Sequence, residues 1–159
     1  MSDRYEALND NWHELSRQLN VGNGCLDHCP GVAAAVHQYL STGTMAGARC
    51  GGAGYAFEIE AHFGHHLTFA AILQRVRRGR HGFHVVVQAH RPPNTGFTDW
   101  HYFNLLNIHG TVYLFDAFTF VRTSDRQEMT RYLSYNHLNR FWLSTQFSAR
   151  MVSLADTGT

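Results

Sequence analysis

The sequence contains no lysine. All 13 of its basic residues are arginine, set against 12 acidic ones for a formal net charge of +1. With only 16% charged residues, such a balanced chain has no long-range field for holding a polyanion or an acidic membrane surface, so nucleic acid and membrane are not expected partners. Lysine is ordinarily among the commonest residues. A codon bias towards arginine is the simpler explanation of its absence. Selection against amine nucleophiles, in a protein that evades ubiquitin tagging or itself acylates amines, is the sharper one. Cysteine is also scarce, at three residues: Cys25, Cys29 and Cys50. Three thiols cannot all pair, which argues against a disulfide framework and leaves open a Cys25–Cys50 bridge beside one free thiol. No apolar run reaches the length of a membrane span. The start, "MSDRYEALNDNWHEL", is polar and acidic, so neither a transmembrane segment nor a signal peptide is expected.

What is present is enough for one core. A length of 159 residues with 44% hydrophobic content suits a single domain over 1–159. Tyr5, Leu8, Trp12, Leu15 and Leu19 recur at helical steps and predict one amphipathic helix from Asp3 to Leu19. A second helix is expected from Pro30 to about Leu40. A third, around Thr68 to Arg77, should stop at "RRGRHG". The texture then changes. "FHVVVQAH" reads as a strand, and "WHYFNLLNI" and "TVYLFDAFT" as a hairpin across "HG". A helix capped by Ser124 or Asp125 should turn Met129, Tyr132 and Leu133 inward before "RFWLSTQF" returns as a strand. Helices first and antiparallel strands later predict an α+β fold with the helices on one side of the sheet.

Among the cysteines, Cys29 is the better nucleophile. Proline favours the first position of a helix because it has no amide hydrogen to leave unsatisfied, so "CPGVAAAV" sets Cys29 at the N-cap. There the unpaired amides and the positive end of the dipole lower a thiol pKa. Cys25, in "NGCLDH", has no helix behind it. The alternative is that both are small buried residues. A thiolate mechanism needs a base and a group that orients it. Counting from the "HG" turn, Asn107 faces Val112 and His101 faces Phe118, which puts His101 and Asp116 on one sheet face as near neighbours.

A Cys at a helix start, followed by His and Asp on successive later strands, resembles the chain order of papain-like cysteine enzymes. More closely, "CPGVAAAVHQYLSTG", His101 and "HGTVYLFD" resemble the papain-fold toxin domains of bacterial polymorphic toxins and secreted effectors. The likeness covers about half the chain. It implies a papain-like α+β fold with N-terminal helices packed on an antiparallel sheet, with Cys29 as nucleophile, His101 as general base and acid, and Asp116 holding the imidazole tautomer. Leu40 and Gly43 fit the family helix when counted from Cys29 and not from Cys25. Where papain-like enzymes carry an oxyanion-hole Gln, this chain has Asn23, whose shorter amide offers the same donor.

The resemblance further implies a toxin or effector that is secreted or injected by a secretion system and acts in the recipient cytoplasm. Its partners would be a target protein and a cognate immunity protein. Glutamine deamidation or transglutamination is favoured over peptide-bond cleavage. A peptidoglycan amidase and a non-catalytic binding module remain open. No cofactor is expected. His62, His65 and His66 with His81 and His84, or Cys25, His28 and Cys29 as a zinc knuckle, lack the spacing and ligand count of a metal site, so no metal is expected either. "RVRRGRH" reads as a solvated helix end rather than a phosphate site.

Overall fold

Two strands are buried at consecutive rather than alternate positions. In "HVVVQAH" every residue from Val85 to Ala89 is buried, and in "WHYFNLLNI" every residue after the first. Strands of this kind need cover on both faces. The computed structural model of the protein provides it, and describes residues 3–20, 29–45, 66–96 and 100–145, with the backbone alone for Cys29 and Pro30. The readings placed on Asn23, Cys25, His28, Cys50, His62 and His65 lie outside the described residues, as does the chain end.

Among the described residues, the helices are α1 (Arg4–Asp10), α2 (Trp12–Leu19), α3 (Cys29–Thr42), α4 (Phe69–Arg77) and α5 (Arg126–Tyr135). The strands are β1 (His84–His90), β2 (Trp100–Ile108), β3 (Thr111–Asp116), β4 (Val121–Thr123) and β5 (Arg140–Ser144). They form one antiparallel sheet in the order β4-β3-β2-β1-β5. One face carries Leu106, Ile108 and Phe115 against Leu8, Trp12, Val32, Val36 and Leu40 from α1, α2 and α3. The other carries Val85, Val87, Phe103, Leu105 and Leu114 against Ile72, Val76, Met129 and Tyr132 from α4 and α5. The fold is α+β with N-terminal helices on an antiparallel sheet, as expected. The one-sided arrangement is corrected: α4 and α5 cover the second face, because β1 and β2 have no polar face to give to water.

The expected N-terminal helix is also corrected. It breaks at Asn11, whose backbone (φ -112, ψ 30) leaves the helical region and serves as both the C-cap of α1 and the N-cap of α2. The run Asn9-Asp10-Asn11 supplies the side chains that compete most with helix for local backbone bonds. Elsewhere the caps follow the sequence. The side chains of Thr68 and Asp125 accept backbone N–H groups at the starts of α4 and α5.

The β2–β3 hairpin has the expected register, with Asn107 opposite Val112. Its turn residues His109 (φ 51) and Gly110 (φ 90) both lie in the left-handed region that a two-residue hairpin turn requires. Asn107 pins this hairpin to the end of α4. Its Nδ2 donates at 3.0–3.2 Å to the carbonyls of Val76, Arg77 and Gly79, and its Oδ1 accepts from the Gly110 amide at 2.8 Å. That buried amide satisfies last-turn carbonyls that a helix cannot bond internally. Among the described residues, no helix is long and apolar enough to cross a membrane.

Candidate active site

α3 begins at Cys29, one residue before the expected start, so Cys29 is the first helical residue rather than the N-cap and Pro30 is the second. After Pro30 the helix is buried from Gly31 to His37, so it serves as a central support and not a surface element. Two contacts fix its direction. Near its start, Asn104 Nδ2 on β2 donates to the Ala33 carbonyl at 3.1 Å; near its end, Ser41 Oγ lies 3.4 Å from Nε2 of His84, which pairs with Leu106. The helix therefore runs in the same direction as β2. Cys29 lies one turn before Ala33, about 6 Å along the axis, which is about two residues of strand. Its backbone is thus level with the start of β2, beside Tyr102 and His101.

His101 is the second residue of β2, and Asp116 the last of β3. They meet as the hairpin count predicts: His101 Nε2 lies 2.7 Å from Asp116 Oδ2. Both side chains project from the face that α5 covers, and there the structure adds a third group. The Tyr132 hydroxyl donates to Asp116 Oδ2 at 2.5 Å and lies 2.9 Å from His101 Nε2. All three are buried, at 3%, 1% and 7% relative exposure for His101, Asp116 and Tyr132. Asp116 Oδ1 accepts the Thr119 amide at 3.1 Å. Burial alone would raise the Asp116 pKa. The His101 ring, the bonds from His101 and Tyr132, and the Thr119 amide outweigh it, so the carboxyl is held below its ordinary value of 3.8.

This arrangement determines the tautomer. An ionised carboxylate only accepts hydrogen bonds, so Nε2 carries the hydrogen and the neutral ring has its lone pair on Nδ1. His101 is thereby arranged to take a proton at Nδ1 while Asp116 stabilises the resulting charge. The helix start and the His–Asp pair lie at one end of the sheet, on its opposite faces. Sequence reasoning turned Tyr132 inward through its helical spacing. Its bond to Asp116 had no sequence signal, because it depends on where α5 crosses the strands.

Two other histidine groups hold elements of the fold together. His81 and His109 stack at 3.9 Å with planes 6° apart, and with Glu6 they bring ligand atoms within 4.8 Å of one another. Lone pairs of parallel rings point along parallel planes and do not converge on one ion. His81 Nδ1 already accepts the His109 amide, and its Nε2 donates to Asp3. The cluster ties α1 to the hairpin. His84 packs edge-on to His37 at 4.7 Å, and burial, with Arg4 adding to it, lowers its pKa to about 4.

No protein-family model matches the sequence, and no curated protein matches it. Solved structures do match in fold. The chain is similar to the R161 variant of the Salmonella effector SpvD, with a TM-score of 0.60 and 15% identity over 87% of this chain and 78% of that one. It is also similar to the G161 variant, at 0.57 and 14% over the same shares. At that identity the likeness shows a common fold and nothing finer.

Proposed function

We propose that the protein is a papain-like cysteine enzyme, an effector or toxin domain that acts on a glutamine side chain of a target protein in a recipient cell. The observation that carries this reading is the buried His101–Asp116 pair, with Nε2 bonded to the carboxylate at 2.7 Å, at the same end of the sheet as the start of α3. The Salmonella effector with the same fold agrees in kind with delivery by a secretion system. An immunity protein in the producing cell belongs to the toxin form of the reading.

In the first step the Cys29 thiol gives its proton to His101 Nδ1, the Sγ thiolate forms a bond to the carboxamide carbon, and the carbonyl electron pair moves to oxygen. The Cys29 amide, with Asn23, is assigned to hold that oxyanion. Collapse expels ammonia, which leaves with the proton held on His101 Nδ1, and a thioester remains. Water gives up a proton to Nδ1 as it attacks, the C–S bond breaks, and glutamate and the Cys29 thiolate result. With an amine in place of water, the product is a crosslink. Asp116 keeps the hydrogen on Nε2 throughout and stabilises the imidazolium between steps.

The test is mass spectrometry of recipient-cell proteins after exposure to the wild type and to Cys29→Ala. Deamidation adds about one dalton per glutamine through loss of ammonia and gain of water. A crosslinked amine would mean transglutamination, and cleaved fragments a protease. Growth arrest only on export to the periplasm would mean a peptidoglycan amidase. Identical proteomes from wild type and Cys29→Ala would overturn the enzyme reading in favour of a binding module.

A further inference from the structure

The sheet end in front of α3 is paved with aromatic rings. In the β1–β2 and β1–β5 ladders, His90 pairs with Trp100 and with Arg140, while Gln88 pairs with Tyr102 and with Trp142. Partners across a ladder share a face, and His84, on the same face of β1, touches α3. Trp100, Trp142 and His90 are therefore on the α3 face. The first turn of α3 is level with Tyr102, so Trp100, two residues closer to the strand start, lies just ahead of the helix N-terminus. Trp142 stands two strands to the side, its backbone about 10 Å from that of Tyr102.

The rings form one contiguous surface. His90 meets Trp100 edge-on, Trp142 lies 4.5 Å from His90 and 5.9 Å from Trp100, and His66 continues the row 5.8 Å from Trp142. His66 is exposed and the other three are partly exposed. Beneath them the strand is anchored. Buried Arg91 donates through one guanidinium nitrogen to the Asn136 carbonyl at 2.7 Å, and through another to the Trp100 carbonyl at 3.3 Å. Burial, with the Arg140 charge adding to it, lowers the His90 pKa to about 4, so the ring is neutral at pH 7.

We propose that Trp100, Trp142 and His90 form a subsite for a neutral aromatic side chain next to the amide that Cys29 attacks. The proposal rests on the reading of Cys29 above and gives it a substrate preference. Indole faces also attract cations, but exposed Arg140 beside His90 opposes a lysine or arginine there. An aromatic side chain adds another edge or offset contact to Trp142, which already stands at aromatic-pair distance from His90 and Trp100, and brings no charge. The same arginine favours an acidic residue on the flank of the bound segment.

Binding is measured in Cys29→Ala, where no turnover occurs, by following the three indole N–H resonances, assigned through single Trp→Phe variants. The probes are blocked pentapeptides with a central glutamine followed by phenylalanine, leucine or lysine. The phenylalanine peptide should shift the Trp100 and Trp142 signals and leave Trp12 in place, binding at least five-fold tighter than the lysine peptide. Trp142→Ala should weaken it about ten-fold, a loss of about 1.4 kcal/mol. Trp142→Phe, which keeps an aromatic face, should retain most of the affinity.

Equal or tighter binding of the lysine peptide, or shifts that spare Trp100 and Trp142, would overturn the subsite. The two proposals fail separately. Target deamidation by the wild type with unmoved indoles defeats the subsite alone, and moved indoles without any Cys29-dependent product defeat the enzyme reading alone.

Discussion

Asp116→Ala removes the acceptor on which the buried network converges. His101 Nε2–H and the Tyr132 hydroxyl then lose their carboxylate acceptor, and the Thr119 amide loses its turn partner. Leaving a buried donor unsatisfied costs about 1–3 kcal/mol. Breaking a buried pair by removing one member costs about 3–5 kcal/mol. At 1% exposure for Asp116 little water reaches the site, so the expected loss is about 4 kcal/mol. With a urea slope of about 2 kcal/mol per molar, the unfolding midpoint should drop by about 2 M. The loss should depend on pH. The folded pKa of Asp116 lies below its ordinary value, so its stabilisation is fully present above the unfolded pKa and disappears as pH falls through the folded one. The gap between wild type and variant should therefore be widest near neutrality and close in strong acid. A loss below about 1 kcal/mol at pH 7, or a gap that stays constant into acid, would refute the network as described.

Four further outcomes are expected. Tyr132→Phe keeps the ring but removes the hydroxyl, costing about 1–2 kcal/mol; the hydrogen-bonded Nε2–H proton of His101, followed by NMR, should exchange with solvent faster than in the wild type. Asn107→Ala strips the donor from the end of α4 and the acceptor from the hairpin turn, and should cost about 2–3 kcal/mol in urea unfolding, with the first backbone amides to lose protection at Gly110. Phe120, half exposed with φ 60, sits where bulky side chains are strained, so Phe120→Gly should be neutral or raise the melting temperature by a few degrees. His84 and His90, each lowered to about 4, bind fewer protons folded than unfolded. Stability should fall as pH drops from about 6.5 towards 4, and the two rings should titrate near 4 by NMR.

The hairpin and its His–Asp pair were legible because a two-residue turn sets the pairing of every residue beyond it, and parity does the rest. The helix start at Cys29 was legible through Pro30. Helix placement was harder. The unbroken apolar character of Val85 to Val87 was a sign of burial on both faces, but which helices supply the second layer depends on packing across the whole chain. Asn11 broke α1 from α2 against an unbroken apolar period, since three consecutive Asn or Asp residues outweigh periodicity locally. β4 is three residues long and has too little pattern to read. The helical spacing of Tyr132 is enough to turn it inward, while its bond to Asp116 belongs to tertiary geometry.

If the His101–Asp116 pair serves a thiolate at Cys29, as proposed, the pH dependence of alkylation at each cysteine reports it. Limiting iodoacetamide, quenched over a pH series and resolved by peptide mass, should modify Cys29 ahead of Cys25 and Cys50. Its rate midpoint should lie below the ordinary thiol value of about 8.5, and His101→Ala should move it upward. If Cys29 reacts no faster than the other two, with a midpoint near 8.5 that His101→Ala leaves unchanged, the account is contradicted.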